Sequence, residues 1–313
     1  MKEEAIVYGG SGFLGSYVAD ALSDAGYKVR IFDVVSSPHL RPDQEMIQGD
    51  ILDLQAVKKA AEGCSYVYNF AGIADIAKAA ERPVDVTTVN VLGNVHTLEA
   101  AVACKAKRFV FASTVYVFSD QGSFYRVSKQ AGERYVEAYS EKHDLDYTIL
   151  RYGSLYGRRA SEWNGIYRLV RQALQDRKIV YQGNRDAMRE YIHVKDAAKL
   201  SVDILTPEHI NRHIIITGNE RLAVESLVRM IAEMVPGEIK TEFTDTQTVG
   251  HYVMGPYSFN PKIGHKLVAN DHIDIGQGLL DCMAEIYEQI HKGTTVEGDL
   301  IVEAARKNDS GKR

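Results

Sequence analysis

Gly9, Gly12 and Gly15, spaced three apart between the apolar run Ala5-Ile6-Val7-Tyr8 and an amphipathic stretch starting at Phe13, constrain this chain more than any other feature. An apolar run, a glycine turn and an amphipathic start predict a strand, a tight turn and a helix N-terminus. Gly9 can take backbone angles closed to other residues, Gly12 lets the chain approach a pyrophosphate, and Gly15 removes the side chain that would hold helix and strand apart. The unpaired N–H groups and positive end of the helix would face the phosphates. The spacing alone fits an ordinary turn as well as a dinucleotide cradle.

The residues after the turn favour the cradle. The helix runs to about Ala25, Gly26 is placed to cap it, Lys28 to Phe32 reads as a second strand, and Asp33 ends that strand. Asp33 stands 18 residues after Gly15, near the separation at which a carboxylate bonds the ribose hydroxyls of the adenosine half. An acid there repels a 2′-phosphate, so the reading is NAD rather than NADP. The alternative is a solvated Asp at a strand end. Glu45 to Gln48 predicts a third strand, followed by Gly49-Asp50-Ile51, where Asp50 would accept from the adenine amine and Ile51 cover the ring. Asp50 as a helix N-terminal acid is the other reading.

Asp53 to Glu62 predicts a helix and Tyr66 to Phe70 a fourth strand, leading into Ala71-Gly72, small enough for the turn to lie against a cofactor. Pro83 opens a long helix with Val91, Val95, Leu98 and Val102 as its core stripe; Asn90 interrupts that face and reads as a side chain bonded to backbone. Arg108 to Ala112, Gly122 to Lys142 and Asp146 to Arg151 continue as strand, helix and strand. The alternation predicts an α/β fold, a Rossmann-type doubly wound parallel sheet with ligands at its carboxyl edge. After Arg151 the regularity breaks: helix Ile166 to Asp176, strand Lys178 to Gln182, late strand His213 to Thr217, helix Val224 to Met234, a loop from Gly250 to Gly264, a last helix Ile273 to Ile290 and a frayed tail from Glu303.

Composition narrows the partners. The net charge of -5 gives no reason to expect nucleic acid or an anionic membrane. Cys64, Cys104 and Cys282 are odd in number and widely spaced, which fits free thiols in a reducing compartment and no metal site. An acidic N-terminus and the lack of a long apolar run lead to the expectation of a cytoplasmic protein without a membrane span.

Tyr125 and Lys129 stand four apart on a predicted helix, hence one turn apart on one face. A phenol with a pKa of ~10 is a poor base at neutral pH, and an adjacent ammonium together with a positive nicotinamide ring would favour its phenolate. Lys129 can also bond the nicotinamide ribose. Tyr191 and Lys195 share the spacing but fall in a stretch read as extended, where four residues span roughly 13 Å. Tyr125 and Lys129 instead follow the fifth strand, whose end carries Ser113 and Thr114. A surface pair is the plain alternative.

These features together resemble an extended short-chain dehydrogenase/reductase of the NAD-dependent epimerase and dehydratase group that acts on nucleotide sugars. The likeness runs from Tyr8-Gly9-Gly10-Ser11-Gly12-Phe13-Leu14-Gly15 through Gly49-Asp50-Ile51, Asn90-Val91-Leu92-Gly93, Ser113-Thr114, Tyr125 to Lys129 and Arg151-Tyr152-Gly153 to Arg189-Glu190-Tyr191-Ile192-His193-Val194-Lys195-Asp196. It implies that Tyr125 takes a proton from a sugar hydroxyl while hydride leaves the same carbon for NAD, and that Thr114 bonds that hydroxyl. It also implies that Phe13, Leu14, Phe70, Asn90 and Tyr152 line the cofactor, and that Ser154 and Arg189 bind substrate, Arg189 clamping the diphosphate. The plain reading of Arg189 is a surface pair with Glu190.

Departures from the family pattern sort its reactions. Its 4,6-dehydratases place an Asp-Glu pair after the Ser/Thr, where this chain has Val115-Tyr116, and its decarboxylases also need a carboxylate there. The 4-epimerases need only the Tyr, Lys and Ser/Thr set. Phe118-Ser119 replace a usual Tyr-Gly, Ser154 replaces a frequent Asn, and the late Arg-x-x-Asp is not evident around Gly250-His251-Tyr252; Tyr116, His251 and Tyr252 then line either an altered sugar pocket or the core. The resemblance therefore implies a nucleotide-sugar 4-epimerase, with a 4-dehydrogenase or ketoreductase on, for example, a GDP-sugar as the rival and a non-catalytic NAD sensor as a third reading. It also implies an NAD domain of residues 1–152 and 191–217, a smaller mixed α/β substrate domain of residues 153–190 and 218–313, and a homodimer through helices 83–104 and 122–142.

Overall fold

Alternating apolar runs at the start of the chain become strands β1 (Glu4–Tyr8), β2 (Lys28–Asp33), β3 (Gln44–Gln48), β4 (Tyr66–Asn69), β5 (Arg108–Thr114) and β6 (Tyr147–Tyr152). Later strands are shorter: β7 (Ser154–Tyr156), β8 (Lys178–Gln182), β9 (Met188–Arg189), β10 (Tyr191–His193), β11 (Arg212–Ile216), β12 (Leu222–Ala223), β13 (Lys240–Thr244) and β14 (His265–Leu267). The computed structural model describes residues 2–244, 265–267 and 272–291. The expected loop 250–264 and tail 303–313 lie outside the described residues.

Eight strands form one parallel sheet in the order β14-β11-β6-β5-β4-β1-β2-β3. The order reverses at β1, flanked by β2 and β4, and a crevice at such a switch point is where open α/β sheets take ligands. Helix α1 (Phe13–Asp24) follows β1, and α2 (Leu54–Ala60) follows β3 behind its N-cap Asp53, whose carboxylate accepts from Gln55 and Ala56 N–H. Asp50 is therefore not that helix's cap. A short α3 (Ile76–Glu81), not foreseen from the sequence, precedes the long helix opened by Pro83.

That long helix runs as α4 (Pro83–Val86), a wider π-helical turn (Thr87–Leu92) and α5 (Gly93–Ala103). Leu98 of the expected stripe and Asn90 on the same face are buried, but Asn94 and Thr97 are buried as well, while Val91, Val95 and Val102 are only partly so. The buried polar groups are satisfied inside, Asn94 Oδ1 accepting from Asn69 Nδ2 at 2.8 Å and Thr97 Oγ1 donating to Asn94 O at 2.8 Å. Apolar periodicity passes over such a face because it counts polar side chains as exposed.

The chain continues with α6 (Ser123–His143), α7 (Gly165–Asp176), α8 (Val194–Asp203), α9 (Val224–Met234) and α10 (Ile275–Ile290). Apolar side chains gather into a core under α1 and α8, a second on the other sheet face under α2, α5 and α6, and a third among α7, α9 and α10. Small pairs β7·β10, β8·β13 and β9·β12 hem the third core; the first two are parallel and the last antiparallel.

Helix α8 begins two residues before the expected Asp196, so Lys195 is helical rather than extended. His193 is the reason: its Nδ1 accepts from Lys195 N–H at 3.3 Å and caps the helix. A cap that accepts must be unprotonated, and burial together with the Lys195 charge depresses this imidazole to about 4. Between about pH 6.5 and 4 the unfolded chain takes up a proton that the native chain refuses, so stability falls with acidification by up to about 3 kcal/mol. Denaturant titrations should show a flatter acid limb in His193→Asn, which keeps a capping acceptor without a titrating ring; identical limbs would contradict this.

Candidate active site

The carboxyl ends of β1, β4 and β5 bring the predicted residues to one edge. After β1 the turn closes through Gly9 N–H to Phe32 O at 2.9 Å and Gly12 N–H to Gly9 O at 3.1 Å. Gly9 has φ +79°, and a Cβ there would sit 2.5 Å from Ala71 N. A Cβ on Gly15 would sit 2.2 Å from Gly9 O. The turn thus has no room for side chains at either glycine. Helix α1 has no side-chain cap at Gly12 and no acid in its first turn, which leaves its N–H groups without an anionic side-chain partner at that end. Those groups, over a turn in which Ser11 carries the one side chain and turns its hydroxyl to Val35 O, fit the pyrophosphate of a dinucleotide.

Asp33 stands beside this turn, its Oδ2 accepting from Ser11 N–H at 3.0 Å. Phe13 and Leu14 begin α1. Asp50 folds back on its own loop, Oδ1 accepting from Leu52 N–H at 2.9 Å. Ile51 is 7% exposed and packs under Gly93.

Past β4, Phe70 lies between Tyr68 and Tyr152, with ring centroids 6.1 and 6.2 Å away. Ala71 N–H donates to Asn69 Oδ1 at 3.1 Å. Asn90 clamps Ile73: Oδ1 accepts from Ile73 N–H at 2.7 Å, and Nδ2 donates to Ile73 O and to Ser128 Oγ, both at 3.0 Å. This is the backbone-bonded reading of Asn90, on a π-helical turn that sets it between the β4 turn and α6. Tyr152 is buried, its ring is tilted beside Phe70, and its hydroxyl shares a 2.6 Å hydrogen bond with Ser201 Oγ under α8.

Tyr125 and Lys129 lie one turn apart on α6, and Thr114 closes β5. Thr114 Oγ1 accepts from Tyr116 N–H at 3.3 Å, which leaves its own proton to offer, and the hydroxyl lies near enough to the Tyr125 phenol to act on it. Lys129 Nζ is buried 6.0 Å from the centre of the Tyr125 ring, 5.0 Å from that of Phe111, and donates to Ala112 O at 2.7 Å. Burial pushes the phenol up to about 12, the Thr114 hydroxyl working against it; burial pulls the ammonium down to about 8, with Glu133 opposing.

The substrate residues are less gathered. Ser154 opens β7, two residues past Tyr152, whose register partner is Thr114, so Ser154 follows the strand end beside the candidate base. Arg189 is partly buried on β9 opposite Leu222 and donates to Met188 O at 3.0 Å. Glu190 pairs with Arg221 at 3.0 Å and Lys266 at 3.3 Å. Val115 is buried in a cluster with Val117, Phe118 and Ile215. His251 and Tyr252 lie outside the described residues.

Sequence reasoning missed Glu133, which is buried with Arg151 and hydrogen-bonded to Ser113. Its signal was available, since it continues the 125, 129, 133 spacing along one helix face.

A profile for the NAD dependent epimerase/dehydratase family matches residues 5–216. A UDP-N-acetyl-alpha-D-glucosaminuronate decarboxylase of Bacillus cytotoxicus is 27% identical over 70% of this chain and 76% of its own. A UDP-glucose 4-epimerase of Corynebacterium glutamicum is 24% identical over 76% of this chain and 82% of its own. In structure, a UDP-glucuronic acid 4-epimerase of Bacillus cereus, solved with UDP-glucuronic acid and NAD, superposes with a TM-score of 0.80 at 21% identity, covering 91% of this chain and 99% of that one. The last likeness establishes the extended Rossmann-type fold.

Proposed function

The chain belongs to the NAD dependent epimerase/dehydratase family, and from that membership we propose that it is an NAD-dependent 4-epimerase of a UDP-linked sugar. The observation that carries the reading is the Tyr125, Lys129 and Thr114 set at the sheet edge beside the glycine turn. Relatives whose names include UDP-sugar 4-epimerases support the nucleotide and the carbon.

NAD, when bound, supplies a hydride acceptor and donor for C4 and a positive ring near the phenol. The glycine turn and α1 hold its pyrophosphate, Asp33 its adenosine ribose, and Lys129 its nicotinamide ribose. Thr114 would hydrogen-bond the C4 hydroxyl and Tyr125 would take its proton as the C4–H bond breaks and its hydride leaves, so that C4 becomes a flat ketone. Arg189 and Ser154 hold the nucleotide-sugar while the ketone turns its other face, and Tyr125 returns the proton. Val115 and Tyr116 put no carboxylate directly after Thr114, which removes the second acid and base that expelling water needs. The family's dehydration is therefore not this chain's step.

Residues 153–190 and 218–313, around the third core, form the substrate part of this reading, and residues 1–152 and 191–217 the NAD part. Exposed Val84 and Leu92 on one long helix and Val127 and Tyr135 on α6 make an apolar face suited to a homodimer. Light scattering should give twice the chain mass; a monomer at micromolar concentration would contradict it. No helix of the described residues is long and apolar enough to cross a membrane, and a cytoplasmic site completes the proposal.

Incubation with NAD and UDP-glucose or UDP-glucuronic acid should yield the C4 epimer without net NADH. A released 4-keto sugar would favour a dehydrogenase instead. Asp33→Ser should narrow the preference for NAD over NADP by about tenfold or more by calorimetry, because a like charge facing a phosphate costs several kcal/mol. An unchanged preference would remove Asp33 from the ribose.

A further inference from the structure

Beneath the candidate base lies a buried charged network that the proposed catalytic steps do not use. Arg151 on β6 grips Glu133 with both ends of its fork, Nε to Oε1 at 2.9 Å and Nη2 to Oε2 at 2.7 Å, and both side chains are almost fully buried. Ser113 Oγ, on the residue before Thr114, donates to Glu133 Oε1 at 2.6 Å. Arg151 Nη2 also lies 2.6 Å from His213 Nδ1 on β11, and His213 Nε2 lies 3.1 Å from Glu137 Oε1, which fits a neutral ring protonated on Nε2. The Arg151 guanidinium stacks 4.7 Å over the Phe118 ring.

A carboxylate this dry is costly unless it serves something, since neutral side chains of similar volume often fill such a place equally well. Its position offers two services. Side chains alternate along a strand, so fixing Ser113 towards α6 fixes the direction of Thr114. Glu133 also stands one helical turn from Lys129 and favours its charged form against burial. Resting on the epimerase reading, we infer that Glu133 is a positioning residue: one carboxylate fastens the strand end that carries Thr114 and holds Lys129 as the ammonium the reaction uses.

The groups around Lys129 are few. Tyr125 and Glu133 face it along α6, Phe111 and Ala112 O from β5, and Gly72 with Asn90 from the β4 turn and the long helix. Behind Glu133 stand Arg151 from β6, His213 from β11, and Glu137 on α6 itself. Among these described groups, Glu133 is the anion that works on Lys129.

The test reads Lys129 directly. In the full chain carrying ε-13C lysine, without nucleotide, the Lys129 resonance is identified by its loss in Lys129→Arg and titrated. Glu133→Gln should lower its midpoint by about one pH unit. Should that variant not fold because Arg151 is left alone, Glu133→Gln with Arg151→Met removes both charges and should lower the midpoint in the same direction. An unmoved midpoint in the folded variant overturns the inference. With UDP-sugar, the alkaline limb of kcat should move down in parallel, and a limb that stays counts against it. A lowered midpoint in the variant of a chain whose wild type turns over no nucleotide sugar would sink the epimerase reading and leave the hold of Glu133 on Lys129 standing. Normal turnover with an unmoved midpoint would do the reverse.

Discussion

Tyr125→Phe is expected to lower epimerisation by about two to four orders of magnitude while NAD binding and the unfolding transition stay as in the wild type. The phenol hydroxyl lies near Thr114 and on the helix face shared with Lys129. Phenylalanine keeps the ring and its packing and removes only the proton carrier. The loss should fall on kcat rather than on KM, because the proton moves only as the reaction proceeds. Thr114→Val should cost less, since it removes one hydrogen bond to the reacting hydroxyl and leaves the base in place. Both are read from initial rates with UDP-glucose, beside calorimetric titration with NAD. A Tyr125→Phe chain that turns over at the wild-type rate would transfer the chemistry to another residue or leave an NAD-binding protein without it.

Arg151→Met is expected to destabilise the chain by about 3–5 kcal/mol, because it leaves the Glu133 carboxylate buried with Ser113 as its remaining close donor. That is a large share of the roughly 5–15 kcal/mol by which domains are stable. Adding Glu133→Gln should recover most of the loss, since the double variant buries no charge at this place. Urea unfolding of the wild type and the variants measures both effects. Equal stability of Arg151→Met and wild type would mean that water reaches the pair. A double variant no better than Arg151→Met would mean that shape rather than charge sets the cost.

Much of this architecture is legible in the residues because its local and global signals agree. The glycine turn, Asp33 and the strand-helix alternation predict the parallel sheet and its ligand edge, and Thr114, Tyr125 and Lys129 meet there as their spacing requires. Legibility fails where the interior is polar. Asn90 is readable as a side chain bonded to backbone, but Asn94 is buried because it finds Asn69 inside, and no hydropathy pattern anticipates a partner from a distant strand. Glu133 shares the four-residue spacing of Tyr125 and Lys129, but its burial depends on Ser113 and Arg151, 20 and 18 residues away in the chain. Tyr152 is a further case: the motif names the residue but not the Ser201 hydroxyl that fixes its phenol. His193 moves a helix start by two residues through a ring nitrogen that hydropathy does not register. The places of Ser154 and Arg189 are the least legible, because they sit on β7 and β9, whose two- and three-residue strands carry little periodic signal.

The central claim is that hydride leaves C4 and returns to C4 within one chain while Tyr125 moves the proton. Incubating the protein with NAD and UDP-glucose deuterated at C4, and following the products by proton NMR, tests it most directly. The account predicts a C4 epimer that keeps its deuterium, with no net NADH and no such product from Tyr125→Phe. Loss of deuterium from the epimer, or an epimer formed equally well by Tyr125→Phe, would contradict it.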